Sequence, residues 1–179
     1  MNLQPPTLRV FLCGDVMTGR GIDQALPHPV DPVLYEPYVR DARQYVDLAE
    51  KAHGAFQRPV TFDYIWDAAV QELDRADVDL RIINLETAIT SAETRWPGKE
   101  IHYRMDPRNI GCLSAARING CALANNHILD WGYEGLSETL QSLDSAGIAH
   151  AGAGKDADEA AMPAVLDLAE NGRVLLFAF

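Results

Sequence analysis

A chain of 179 residues is long enough for one domain with a full core, and 47% hydrophobic with 23% charged residues is the balance of an ordinary globular protein. Acidic side chains number 26 against 15 basic ones, a formal charge of -11, which argues against a general nucleic-acid or anionic-membrane surface. An anionic substrate would need a local cation, from an arginine or a metal.

Residues 1–6 hold neither a basic n-region nor an apolar h-region, and no run reaches membrane-span length. As it stands the chain reads as cytoplasmic, or extracytoplasmic if a leader has been removed. The apolar run over residues 8–13 predicts a first buried strand, closed by Gly14 and Asp15. Gly19 and Gly21 then mark a loop leading into a helical turn. Residues 27–37 carry four prolines and cannot be regular. Tyr38, Val39, Ala42, Tyr45, Val46 and Ala49 follow at helical spacing. Residues 27–60 read as an insertion, either shaping a cleft or running over the surface.

Thr61 caps an expected helix whose Phe62, Ile65, Trp66, Ala69, Val70 and Leu73 share one face. A second strand is predicted over 78–83, ending in Asn84-Leu85-Glu86, then a polar stretch and a helix over 106–118 opened by Asp106-Pro107. The third strand spans 121–123 and leads through Asn125-Asn126-His127 into a helix over 132–146. A fourth strand at 148–151, a helical turn at 156–161 and a hairpin around Asn171-Gly172 complete the pattern. This alternation predicts an α/β fold with a mainly parallel sheet flanked by helices, ending in a β-hairpin. The whole reads as a single domain over 1–179; because residues 177–179 are apolar, it is expected to be the N-terminal portion of a longer protein.

Three strands end in potential ligands: Asp15, then Asn84 and Glu86, then Asn125, Asn126 and His127. In a parallel sheet these ends share one edge, where open α/β sheets place ligands. Carboxylates, an amide oxygen and an imidazole suit Mg, Mn, Fe or Zn, and two such ions can activate water and clamp a phosphoryl oxygen. Arg20 and Arg104 are candidate anion contacts. The cysteines Cys13, Cys112 and Cys121 form no C-x-x-C pair and read as small core residues. Gly152-Ala153-Gly154-Lys155 lacks the remaining residues of a phosphate-cradling loop.

The segments Gly14-Asp15-Val16-Met17, Asn84-Leu85-Glu86 and Ala124-Asn125-Asn126-His127-Ile128-Leu129-Asp130-Trp131-Gly132 resemble the three N-terminal motifs of the CapA family of bacterial capsule or poly-γ-glutamate biosynthesis proteins. That family is similar in turn to calcineurin-like metallophosphoesterases. The resemblance implies the N-terminal part of a metallophosphoesterase-type sandwich, a divalent metal site and a metal-dependent hydrolase of phosphoester or related bonds. It makes Asp15 a first-site metal ligand, puts Glu86 where phosphoesterases bridge two metals, and makes Asn126 a second-site ligand. His127 becomes the group that binds the substrate oxyanion or protonates the leaving oxygen. Arg20, Asn84, Asn125 and Arg104 would contact substrate, a small molecule or an anionic polymer. Two departures stand out: Met17 occupies the place of a ligand histidine, and the later histidine motifs do not occur in the chain. The alternatives are a non-catalytic accessory factor for capsule polymer, or an inert fragment lacking the remaining metal ligands.

Overall fold

The structure, a computed structural model, describes residues 7–168 and 172–179. Its elements run β1 (Val10–Val16), α1 (Arg20–Ala25), α2 (Arg43–His53), α3 (Ala68–Arg75), β2 (Leu80–Leu85), β3 (Ala88–Ile89), β4 (Arg104–Met105), α4 (Gly111–Ala115), β5 (Gly120–Ala122), α5 (Gly132–Ser145), β6 (Ala149–Ala151), α6 (Ala157–Ala161), β7 (Ala164–Asp167) and β8 (Arg173–Leu176). The main sheet has the order β1-β2-β5-β6, and every neighbouring pair is parallel. The fold is the α/β class expected, with helical crossovers between parallel strands.

Burial on both faces explains why β2 is a nearly continuous apolar run. Ile83 and Leu85 enter the large core with Cys121, Leu123, Leu113, Leu140 and Leu143. Leu80 and Ile82 turn the other way, against Leu166, Val174 and Leu176 of the antiparallel β7–β8 hairpin. The hairpin thus covers one face and the helices the other. Of the turn signal expected between its strands, Asn171 lies outside the described residues, as do residues 1–6.

Four boundaries differ from the sequence expectation. The helix expected from Thr61 is broken into a 3-10 turn, Tyr64–Trp66, and α3, because Asp67 takes φ 47°, ψ -131° between them. Trp66 Nε1 donates to Cys112 O at 2.8 Å, a tertiary bond that fixes the turn. The helix expected over 106–118 is likewise a 3-10 turn, Pro107–Asn109, followed by the short α4; the Asp106 side chain caps the turn by accepting from Arg108 N. Helix α2 starts at Arg43, since Leu34 N donates to Arg40 O and Ala42 N to Pro32 O, holding 32–42 in a closed turn. Strands β3 and β4, two residues each and parallel, interrupt the stretch expected to be irregular.

Strand β1 runs past its apolar segment through Gly14 and Asp15, with a register irregularity between Cys13 and Val16. Asp15 takes a left-handed φ of 51° there. Asp tolerates that region better than most residues, and departures of this kind collect at functional sites.

Candidate active site at the sheet edge

The carboxyl ends of β1, β2 and β5 meet, and a chain of side-chain hydrogen bonds joins them. Asn84 Nδ2 donates to Asp15 Oδ1 at 2.9 Å. Asn125 Nδ2 donates to Asn84 Oδ1 at 3.0 Å and to Leu85 O at 2.9 Å. Asn125 Oδ1 then accepts the His127 backbone N–H at 3.0 Å. The two asparagines therefore stitch the strand ends together, with both ends of each amide engaged. Asp15 and Asn126 are exposed and Glu86 half-buried, while His127 is buried.

His127 is held on every side. Its Nδ1 stands 2.7 Å from Asp130 Oδ2, and a carboxylate oxygen only accepts, so Nδ1 carries the proton. Its Nε2 faces Glu86 Oε1 at 3.6 Å, beyond a direct hydrogen bond. The Tyr103 ring stacks on the imidazole with centroids 3.9 Å apart and planes 21° apart. Asp130 is fully buried, accepts Tyr103 N at 2.6 Å and pairs with Lys99. Lys99 also donates to Asn126 O and lies 3.4 Å from His127 Nδ1. Burying a carboxylate without such partners would cost several kcal/mol; here every approach to it is filled.

The candidate arginines diverge. Arg20 pairs with the buried Glu36 at 2.6 Å, and its guanidinium lies over Tyr103 at 4.7 Å and over Tyr45 at 5.2 Å. It joins the site through Tyr103. Tyr45 also donates to Glu36 at 2.7 Å, and burial followed by that hydrogen bond pushes its phenol up to about 12. Arg104 is buried, stacks 3.9 Å over Trp131 and donates to Ala92 O at 2.6 Å, so its place is behind the site, in the wall. Burial lowers its pKa from the ordinary arginine value.

Met17 turns its sulfur toward the Gly19 N–H at 3.1 Å. Among the described residues no three His, Cys, Asp or Glu side chains stand together as a metal-holding group. The oxygen-bearing side chains the strand ends carry are the Asp15 and Glu86 carboxylates and the Asn126 amide, the donor types that could hold a hard divalent ion. Asp130, Lys99 and Tyr103 carried no role in the sequence reading. Asp130 had a signal there, the i, i+3 spacing from His127, whereas Lys99 and Tyr103 reach the site only through the β3–β4 excursion.

This is an α/β protein whose parallel strands end beside a histidine oriented by a buried carboxylate, with the Glu86 carboxylate facing its other ring nitrogen. Residues 9–179 match the family described as bacterial capsule synthesis protein PGA_cap, and the chain belongs to that family. It is 45% identical over 172 residues to a protein of Mycobacterium tuberculosis strain H37Rv named "Probable polyglutamine synthesis accessory protein", covering 96% of this chain and 45% of the relative. An uncharacterized protein of Sinorhizobium fredii strain NGR234 is 46% identical over 132 residues, 73% of this chain and 27% of that protein. The chain thus spans less than half the length of these relatives. No helix among the described residues is long and apolar enough to cross a membrane.

Proposed function

We propose that this PGA_cap protein is a metal-dependent hydrolase of a phosphoester or related bond, acting in the production of a capsule or glutamate polymer. The observation that carries the reading is His127. Asp130 fixes its tautomer and ring direction, and its Nε2 is turned to the edge where Glu86 and Asp15 stand. In its doubly protonated form, with Nδ1–H held by Asp130, His127 donates the Nε2 proton to the leaving oxygen or steadies the developing oxyanion through Nε2–H. Asn84 and Asn125 orient the Asp15 carboxylate and the His127 backbone, so the strand ends keep their spacing as substrate enters.

Asp15, Glu86 and Asn126 would hold a divalent cation, Mg, Mn, Fe or Zn, one or two in number. Such an ion supplies a water of lowered pKa and polarises the phosphoryl oxygen. The test is turnover of p-nitrophenyl phosphate and bis(p-nitrophenyl) phosphate by purified protein with each metal in turn. His127→Ala and Asp15→Asn are expected to lower kcat about 100-fold or more. Wild-type protein that turns over neither ester with any of the four metals would overturn the reading.

The accessory-protein name of the mycobacterial relative favours a second reading, binding of an anionic polymer without catalysis. Polymer binding that survives chelation and the His127→Ala change, with no turnover, would select it.

A further inference from the structure

A cleft of about 730 Å³ lies beside the sheet-edge site, between α1, α2 and the 54–65 segment. That volume falls within the range of roughly 300–1,000 Å³ typical of small-molecule sites. Ile22 and Ala25 of α1, Val46 and Ala49 of α2, and Phe56 and Ile65 give it an apolar wall. Met17, two residues past Asp15, and Arg20 also line it. The cleft and the catalytic histidine share a partition, because the Arg20 guanidinium covers Tyr103 and Tyr103 covers His127.

Charge points to the sign of the occupant. The described lining holds Arg20 and His53 and no Asp or Glu, on a chain whose formal charge is -11. Arg20 Nη2 is engaged with Glu36, yet its Nε is buried without a hydrogen-bond partner among the described residues. A buried donor left unpaired is unfavourable, and an anionic oxygen would satisfy it. Apolar walls fit no polyanion along their length. They fit one apolar chain that ends in one anionic head.

We propose that the cleft holds the hydrocarbon chain of an alkyl or prenyl phosphate, with the phosphate held by Arg20 beside the edge of the Tyr103 ring that parts it from His127. This rests on the reading of the sheet edge as a phosphoester site and adds the substrate class. The test is calorimetric titration of the protein with decyl phosphate below its micelle concentration and, separately, with inorganic phosphate. Decyl phosphate is expected to bind at least about ten-fold more tightly, since each buried methylene contributes about 0.8 kcal/mol. Ala49→Trp and Ala55→Trp, at exposed positions lining the cleft, fill it and should abolish that preference while the melting temperature stays unchanged. Equal binding of the two phosphates, or a preference that persists in both folded tryptophan variants, would overturn the proposal. Decyl phosphate preference without any ester turnover would retain the cleft and defeat the hydrolase reading alone; turnover without preference would do the reverse.

Discussion

Asp130 Oδ2 stands 2.7 Å from His127 Nδ1, three residues away in sequence, and the same oxygen accepts the Tyr103 N–H at 2.6 Å. One buried carboxylate thus fixes both the ring plane of the histidine and the strand-like segment that carries its stacking partner. Asp130→Asn keeps the size of the side chain and removes the charge. An amide no longer stabilises the imidazolium that donates from Nε2, so kcat should fall about 100-fold or more while KM changes little. Steady-state kinetics beside a thermal melt check this. A kcat loss with KM unchanged and the fold intact marks a positioning role, whereas loss only in proportion to unfolding would mark a structural one.

Much of this was legible in the sequence, for local reasons. The apolar run of β2 and the Asn125-Asn126-His127 motif before α5 are set by nearest neighbours and period, so the places of Asp15, Glu86 and His127 at successive strand ends could be read directly. The broken helices could not. Phe62, Ile65 and Trp66 have helical spacing, but the indole hydrogen bond to Cys112 O and the Asp67 backbone decide otherwise, and both are tertiary. Arg104 looked like an anion contact because charge is visible in sequence and burial is not. Lys99 and Tyr103 enter the site from a loop whose path depends on the two-residue pairing of β3 with β4.

Asp23 ties three segments together. Fully buried, it accepts Val30 N at 2.8 Å, Asp106 N at 3.0 Å and Asn109 Nδ2 at 2.9 Å. Asp23→Ala orphans all three donors and should destabilise the fold by about 3 kcal/mol or more in urea melts. Burial raises the Asp23 pKa above the ordinary carboxylate value, against the lowering effect of those donors. The folded protein therefore holds that proton more tightly than the unfolded chain. Its contribution is full below about pH 4 and is lost as pH rises through the raised value. Relative to Asp23→Asn, wild-type stability should fall across that window and then level off; a difference that grows with pH would contradict this.

The three thiols differ in reach. Cys112 and Cys121 have no exposed surface, and burial pushes both up to about 12. Cys13 on β1 is half-buried. At pH 8 Ellman's reagent should titrate one thiol promptly in the native protein, removed by Cys13→Ser, and three after denaturation. Prompt release of more than one equivalent from folded protein would show the core is more open than the packing around Leu113 and Leu123 implies.

Tyr103 lies between a cation and an imidazole, with Arg20 at 4.7 Å on one face and His127 stacked on the other. Its backbone N–H goes to Asp130 and its carbonyl accepts Trp131 Nε1 at 3.0 Å, so the main chain stays anchored whatever the side chain. The ring supplies two face contacts worth about 0.5–1.5 kcal/mol each. Tyr103→Phe keeps both faces and should leave kcat within about two-fold. Tyr103→Leu removes them, frees His127 to tilt about its bond to Asp130, and should lower kcat about ten-fold with a modest drop in melting temperature. Equal kinetics for the two variants would show that Asp130 alone holds the imidazole.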